Sequence, residues 1–207
     1  MNALLDAAWQ NRLEVLAVGF GTVSVWLSVR QNIWSWPTAI VNVLLYVLVF
    51  RREKLYADMG LQVIYAILSV YGWYEWLHGG TNRTELKVSR WSLPLMGVLA
   101  VVAALGTWQL GRFFATHTDA AFPYLDSGLT MTSLVAQYLM TRKVLENWLI
   151  WIAADVVYVG LFVYKGLRLT AGLYIVFLVL AAIGYRQWRR SYGVAHGATP
   201  PLPAPAS

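Results

Sequence analysis

Four aromatic rings and one carboxylate share one face of an apolar stretch, residues 144–164. They are Trp148, Trp151, Asp155, Tyr158 and Phe162. At about 100° per residue they fall within an arc of roughly 80° on a helix. A carboxylate at membrane depth costs about 2.5–3.5 kcal/mol on insertion scales, so it normally faces a bundle interior or a wet cavity. A carboxylate beside aromatic rings suits a flat organic cation, through charge pairing and cation–π attraction.

We hypothesise a role for each of these side chains. Trp148 and Trp151 provide a stacking wall, Asp155 offsets the positive charge of a ligand, and Tyr158 gates the site or hydrogen-bonds the ligand. The alternative is that the rings are packing and interface anchors and that Asp155 pairs with a neighbouring helix. We favour the ligand site because the polar and aromatic residues share one face.

Three uncharged polar residues extend the candidate site: Asn42, Gln62 and Gln137. All three fall at membrane depth in apolar segments. Their amides are suited to ribose or pyrimidine groups of a ligand, or to hydrogen bonds across helices of about 0.6 kcal/mol each. Both roles stay open at this point.

The composition indicates an integral membrane protein. The chain has 207 residues, 58% of them hydrophobic and 13% charged, with a mean hydropathy of +0.53. A soluble domain carries about a quarter charged residues. The net charge of +6 reflects loop Lys and Arg near anionic headgroups, not nucleic-acid binding.

Several kinds of chemistry are not expected. The chain has no cysteine, which excludes disulfides, thiolate catalysis and Cys metal sites. The three histidines, His78, His117 and His196, fall in loops or the tail without a partner at metal spacing, so we expect neither a metal site nor a cofactor.

The hydropathy pattern predicts an all-α protein with seven transmembrane helices, in one transmembrane domain over residues 1–190. The predicted helices are 13–29, 33–50, 55–77, 91–114, 124–140, 144–164 and 169–188. Residues 191–207 become rich in proline and are predicted to be a disordered tail. The positions of Pro37 and Pro94 near helix starts agree with these bounds.

A shift of 112 residues places the first three helices on the last three. Trp36 meets Trp148, Tyr46 meets Tyr158 and Phe50 meets Phe162, among other pairs. Two triplets joined directly would have opposite orientations, and the helix at 91–114 restores the same orientation. The sequence therefore predicts parallel repeats, about 13–77 and 124–188, in a three-plus-one-plus-three arrangement that resembles SWEET sugar carriers. Such repeats place a substrate near the midplane.

The basic residues predict the orientation in the membrane. The side that holds the N-terminus has Arg12, Arg51, Arg52, Lys54, Arg112, Lys165 and Arg168; the other has Arg30, Arg83, Lys87, Arg90, Arg142, Lys143, Arg186, Arg189 and Arg190. The positive-inside rule then puts the N-terminus outside and the C-terminus in the cytoplasm.

Three segments resemble the PnuC family of bacterial vitamin transporters. They are Tyr71-Gly72-Trp73-Tyr74-Glu75-Trp76, Met140-Thr141-Arg142-Lys143, and Glu146-Asn147-Trp148 with Trp151. The resemblance covers about residues 10–188. It implies a homotrimer in the bacterial inner membrane that takes up nicotinamide riboside by facilitated diffusion. Phosphorylation by a cytoplasmic kinase would then trap the vitamin, so no ATP site is implied.

The residue at 155 departs from this resemblance. Members that carry nicotinamide riboside resemble Trp-x-x-Trp-x-x-x-Asn-x-x-Tyr, and this chain has Asp155 at the Asn position. Nicotinamide riboside and thiamine are both flat cationic heteroaromatics with hydroxyl groups, and a thiamine-transporting branch of the family exists. Both vitamins therefore remain open.

The residues at the end of the third helix are expected to have structural roles and not to bind a ligand. Trp73 and Trp76 are predicted to lie in an interfacial belt, and Glu75 to pair with a loop arginine.

Two other classes of protein fit the sequence less well. An intramembrane hydrolase would need a motif such as Gly-x-Ser-x-Gly or His-Glu-x-x-His, and the sequence has neither. A seven-helix retinal photoreceptor needs a mid-membrane lysine in its last helix for the Schiff base. The nearest lysine, Lys165, falls in a loop.

Overall fold

Seven long α-helices account for most of the chain. The structure, a computed structural model, describes residues 2–119 and 121–197. The helices are α1 (Asn2–Val29), α2 (Ser35–Arg52), α3 (Tyr56–His78), α4 (Leu93–His117), α5 (Pro123–Thr141), α6 (Asn147–Tyr164) and α7 (Arg168–Ala195). The shortest have 18 residues, which at about 1.5 Å per residue is close to the thickness of a bilayer core. The predicted number of helices is confirmed.

The helix ends differ from the prediction mainly at the two termini. α1 begins at Asn2 instead of residue 13, and α7 continues to Ala195 instead of ending at residue 188. Residues 191–195, predicted to be disordered, are therefore helical. A hydrogen bond from Gln31 Nε2 to Ser191 Oγ (2.8 Å) holds this extension against the start of the α1–α2 turn. Residues 198–207 of the predicted tail lie outside the described residues.

Within the described part of the chain, four helices are both long enough and apolar enough to cross a membrane. These are α1 from Arg12 onward, α4, α6 and α7. α5 falls below this level because it carries polar residues, among them Thr130, Ser133 and Gln137, which line an internal cavity instead of meeting lipid. Backbone and side-chain polarity at membrane depth is tolerated where it lines a cavity.

The helices pack as two triplets. α1, α2 and α3 contact one another in sequence, as do α5, α6 and α7, while α4 packs on α5. The triplets meet at two seams, where α3 contacts α5 and α7 contacts α1. The helices α1, α2 and α3 are equivalent to α5, α6 and α7. If each helix is exchanged for its equivalent, the contacts between the six helices stay the same. Since successive membrane-spanning helices alternate in direction, α1 and α5 run parallel, which is the predicted arrangement.

Local details repeat with the same offset of 112 residues. Gln31 and Lys143 both adopt positive φ (55° and 49°) in the turns that follow α1 and α5. Lys54 and Gly166 do so (58° and 74°) in the turns that follow α2 and α6. The two triplets therefore share a backbone path through their turns as well as their helices.

In each triplet, a glycine of the third helix packs against a tryptophan ring of the second helix. A Cβ at Gly72 would overlap the ring of Trp36, and a Cβ at Gly184 would lie 2.7 Å from Cε2 and Cζ2 of Trp148. All four residues are equivalent under the repeat. Only a residue without a side chain permits this close approach of helix backbone and indole.

The predicted loop between α3 and α4 is ordered against the second triplet. Ser89 forms an isolated parallel bridge with Val144: its N–H donates to Lys143 O (3.0 Å), and Leu145 N–H donates to Ser89 O (2.9 Å). Val88 beside it is 4% exposed. The loop thus strengthens the α3–α5 seam.

We expect Gly184→Ala to lower the melting temperature, because the new methyl would overlap the Trp148 ring and overpacking costs about 1–3 kcal/mol. Gly172→Ala, in the same helix, is the matched control. Nothing lies within 4 Å of its Cβ position, and alanine stabilises a helix interior by roughly 0.5–1 kcal/mol relative to glycine. Thermal unfolding in detergent micelles measures both, and a Gly184→Ala protein at least as stable as Gly172→Ala would contradict the packing described.

Candidate substrate cavity

A cavity of about 510 Å³ lies between the two triplets. Residues of α1, α2, α3, α5, α6 and α7 line it. Many of them occupy equivalent positions in the two repeats: Val18 and Thr130, Gly21 and Ser133, Val25 and Gln137, Ala39 and Trp151, Val43 and Asp155, Tyr46 and Tyr158. A pseudo-twofold axis therefore passes through the cavity, and equivalent residues face each other across it at equal depth.

All seven residues predicted for the site line this one cavity. They are Asn42, Gln62, Gln137, Trp148, Trp151, Asp155 and Tyr158. They come from α2, α3, α5 and α6, and only the tertiary structure brings these four helices together.

Among the described residues that line the cavity, Asp155 is the only acidic one. It is 4% exposed, and it forms neither a hydrogen bond nor an ion pair with the residues that the structure describes. The carboxylate is therefore withdrawn from both lipid and bulk water without a protein cation to offset its charge. A buried, unpaired charge is unfavourable, and a positively charged ligand would relieve this cost.

The three amide residues divide into two kinds. Asn42 Nδ2 donates to Ala17 O (2.7 Å) and lies against Gly21, so it joins α2 to α1. Gln62 and Gln137 make no hydrogen bond within the described part of the chain. Their amides are available to a ligand, whereas the Asn42 amide already gives one N–H to Ala17 O.

The two tryptophans of α6 lie at different depths. Trp148 is 1% exposed, and its ring meets Trp188 edge-on at 5.4 Å between centroids. It forms part of the cavity floor. Trp151, one turn further along, is only partly buried and forms the wall. Tyr158 lies further from this floor, and its ring centroid is 4.6 Å from that of Tyr174.

Four indoles close the floor. Trp36 contacts Trp76, Trp76 contacts Trp188 and Trp188 contacts Trp148, at centroid distances of 5.2, 5.8 and 5.4 Å. Each is at most 2% exposed. The prediction that Trp76 lies in an interfacial belt is therefore wrong, since its ring is part of the buried core, whereas Trp73 is 39% exposed.

Two of these indoles bind the opposite triplet reciprocally. Trp76 Nε1 donates to Met140 O, and Trp188 Nε1 donates to Ser28 O, both at 3.0 Å. Donors and acceptors are each related by the repeat. We call this pair of hydrogen bonds the tryptophan latch. It joins the triplets at both seams at one end of the bundle.

An ion pair reinforces the α3–α5 seam at the same end. Arg142 Nη1 lies 2.7 Å from Glu75 Oε2 and donates to Tyr71 Oη (3.1 Å). The prediction that Glu75 pairs with a loop arginine is confirmed. These partners raise the pKa of Arg142 even though its partial burial opposes them.

Above the latch, the Tyr65 and Ser133 hydroxyls hydrogen-bond across the triplets at 2.5 Å. Beyond this pair, the opposite end of the cavity has no bridge between the triplets among the described residues. There, rings stack within each triplet, Tyr46 on Phe50 and Tyr158 on Phe162. Phe50 and Phe162 line the cavity and are partly exposed. The cavity is closed at the tryptophan latch and extends toward these two phenylalanines.

Several lining residues were not selected from the sequence. Trp36, Tyr174, Thr130 and Ser133 all line the cavity. Trp36 and Tyr174 were identifiable as the repeat equivalents of Trp148 and Gln62, because equivalent positions of a twofold repeat face the same axis. Thr130 and Ser133 carried no signal beyond their polarity in a membrane helix.

These features define a class: a multi-pass membrane transporter with a cavity between two parallel helix triplets. The chain belongs to the nicotinamide mononucleotide transporter family, whose family model matches residues 11–190. This agrees with the resemblance found in the sequence.

Individual relatives support the assignment. The chain is 31% identical over 213 residues to the nicotinamide riboside transporter PnuC of Escherichia coli K12, covering 90% of this chain and 87% of that protein. It is 27% identical to the riboflavin/roseoflavin transporter RibM of Streptomyces davaonensis, covering 81% and 80%. The crystal structure of the vitamin B3 transporter PnuC matches with a TM-score of 0.67 at 24% identity, covering 86% and 80% of the two chains. This match confirms the fold.

Because the chain has no cysteine, single cysteines can report access to the cavity. We expect Ser28→Cys to react with a membrane-impermeant maleimide more slowly from the latch end than from the Phe50 end. Trp188→Phe removes a hydrogen bond of about 0.5–1.5 kcal/mol, so it should accelerate labelling from the latch end about threefold. The rate of maleimide labelling is measured in vesicles that hold the protein in each of the two orientations. Trp73→Phe is the control, and equal acceleration by it would contradict the role of the latch.

Lys143 makes stability depend on pH. Burial lowers its pKa from 10.5 to about 8, while Nζ donates to Leu86 O (2.9 Å) and lies 4.5 Å from the Trp76 ring. Between these pKa values the unfolded chain binds more protons, so stability rises with pH.

We therefore expect the melting temperature of the wild type to rise, relative to Lys143→Met, as the pH increases from 8 toward 10.5. Below this window the difference should be constant. Lys87→Met, at an exposed lysine of the α3–α4 loop next to Leu86, is the control and should follow the wild type. Parallel curves for the wild type and Lys143→Met would contradict the assignment.

Proposed function

We propose that this protein takes up a flat, positively charged vitamin, nicotinamide riboside, across the bacterial cytoplasmic membrane. The observation that carries the proposal is the unpaired Asp155 carboxylate in an aromatic-lined cavity between the triplets. The E. coli relative is a nicotinamide riboside transporter, and the charge on the pyridinium ring matches the carboxylate.

Six of the seven predicted site residues have a place in this proposal, while Asn42 instead holds α2 against α1. The pyridinium ring stacks on Trp151, with Asp155 offsetting its charge. Gln62 and Gln137 donate to or accept from the carboxamide and the sugar. Trp148 supports the floor from below, and Tyr158 lies above the ring, on the side from which the ligand enters.

Thiamine is the second candidate, and the same carboxylate favours it. Its thiazolium ring is also a flat cation, so charge alone does not separate the two vitamins. Riboflavin, named for the Streptomyces relative, has an uncharged ring system and would leave Asp155 unpaired. The family therefore includes larger flat ligands, but this cavity favours a cationic one.

In this proposal, transport requires the closure of the cavity to switch from one end to the other. With the tryptophan latch formed, the cavity faces the Phe50 and Phe162 end. Parting the latch while closing the other end would expose the ligand to the opposite side. From the positive-inside rule we propose that the latch lies at the cytoplasmic end and the N-terminus outside, which would make this the outward-facing state.

We further propose that the carrier works by facilitated diffusion as a homotrimer, with a cytoplasmic kinase trapping the vitamin. Phosphorylation adds negative charge, which the Asp155 cavity would reject. Uptake that collapses when a protonophore is added would contradict uncoupled transport.

We expect Asp155→Ala to weaken nicotinamide riboside binding at least about tenfold, or about 1.4 kcal/mol, because the charge pairing is lost. Asp155→Asn keeps the shape without the charge and should change the ratio of affinities for nicotinamide riboside and thiamine. Isothermal titration calorimetry on purified protein measures both vitamins. Asp119→Asn, at an exposed loop carboxylate, is the charge-matched control and should bind as the wild type does. Unchanged affinities in both Asp155 variants would refute the charge role.

A further inference from the structure

We infer that Ala39 determines which ligands fit: its small side chain leaves the recess that receives the non-ring part of the ligand, opposite Trp151. This inference rests on the proposed function, because it concerns the same cavity.

The argument begins with the pseudo-twofold axis. Ala39 and Trp151 are equivalent under the repeat, and both line the cavity. They therefore lie at the same depth on opposite walls. One wall carries an indole at this depth and the other only a methyl group. From this difference in side-chain volume we infer a recess on the side of the first triplet.

The neighbouring pairs differ in the same direction. Val25 and Val43 on the first triplet face Gln137 and Asp155 on the second. The second triplet thus supplies the ring, the charge and the amide at this depth, and the first supplies short apolar side chains. A symmetric cavity would accept a ligand in two equivalent orientations. This asymmetry leaves one orientation, with the cationic ring against the second triplet.

Hydroxyl groups border the recess on its floor side. Ser24 and Ser28 of α1 line the cavity, and each is 8% exposed. Ser24 Oγ donates to Ser35 O (2.8 Å), which places it beside the start of α2 and one turn from Ala39. Its oxygen lone pairs remain able to accept a hydrogen bond. Their repeat equivalents, Ala136 and Met140, carry no hydroxyl.

The recess therefore suits a compact group with several hydroxyls, joined to the flat cation. A ribosyl group has this chemistry. In the bound state, the ring lies between Trp151 and Asp155, and the sugar lies over Ala39 toward Ser24 and Ser28. The free Gln137 amide is at the same depth and reaches the junction between ring and sugar.

The test increases the side-chain volume at position 39 in steps. We expect Ala39→Ser to bind nicotinamide riboside within about threefold of the wild type, Ala39→Leu about tenfold more weakly, and Ala39→Trp more weakly still. Leu44→Trp is the matched control. It adds the same indole to the same helix on a face that is 51% exposed, and it should leave affinity unchanged. Calorimetry gives the affinities, and melting temperatures show that each variant folds.

A second ligand separates the recess from the ring site. 1-Methylnicotinamide, methylated on the ring nitrogen, carries the cationic ring without the sugar, so Ala39→Trp should weaken its binding less than that of nicotinamide riboside. If affinity for nicotinamide riboside does not fall with side-chain volume, or if both ligands weaken equally in folded protein, the inference about Ala39 is overturned. If the wild type binds neither nicotinamide riboside nor thiamine, the proposed function itself fails.

Discussion

The reciprocal contact of tryptophan and glycine organises this bundle. Trp36 packs against Gly72, and Trp148 against Gly184, so each triplet holds its second and third helices in close approach. The indoles of Trp76 and Trp188 then reach across to backbone carbonyls of the opposite triplet. Because these four rings fill one end, the space between the triplets remains open above them. The cavity therefore begins where the packing of the four indoles ends.

The cavity walls break the twofold symmetry that the floor keeps. The floor is nearly symmetric, which suits a structural closure made by two equal halves. The walls are not: the second triplet carries Asp155 and Trp151 where the first carries Val43 and Ala39. The seams differ as well, since the Arg142–Glu75 ion pair and the Ser89 bridge strengthen only the α3–α5 side. That seam is the stronger candidate for a hinge, and the α1–α7 seam for the side that parts.

Much of the cavity lining was predictable because polar residues at membrane depth are costly. A carboxylate such as Asp155 in a long apolar helix must face an interior, and the shared face with Trp151 and Tyr158 indicated which interior. The role of Trp76 was predicted wrongly for an equally physical reason. A tryptophan near a helix end suits both an interfacial belt and a buried contact, and the choice depends on whether another triplet covers it.

The sequence by itself determined the helices, their number and the parallel repeat, because hydropathy and an offset of 112 residues are properties of the chain alone. It also marked Asp155, since a carboxylate in a long apolar helix is too costly to face lipid and must be shielded, paired or wet. Only the tertiary structure decided which amides are free, which end is closed and which residue lies opposite Trp151. Hydrogen bonds such as Asn42 to Ala17 and the latch to Met140 and Ser28 depend on how helices meet. No local pattern encodes the partner of a side chain that bonds across an interface between helices.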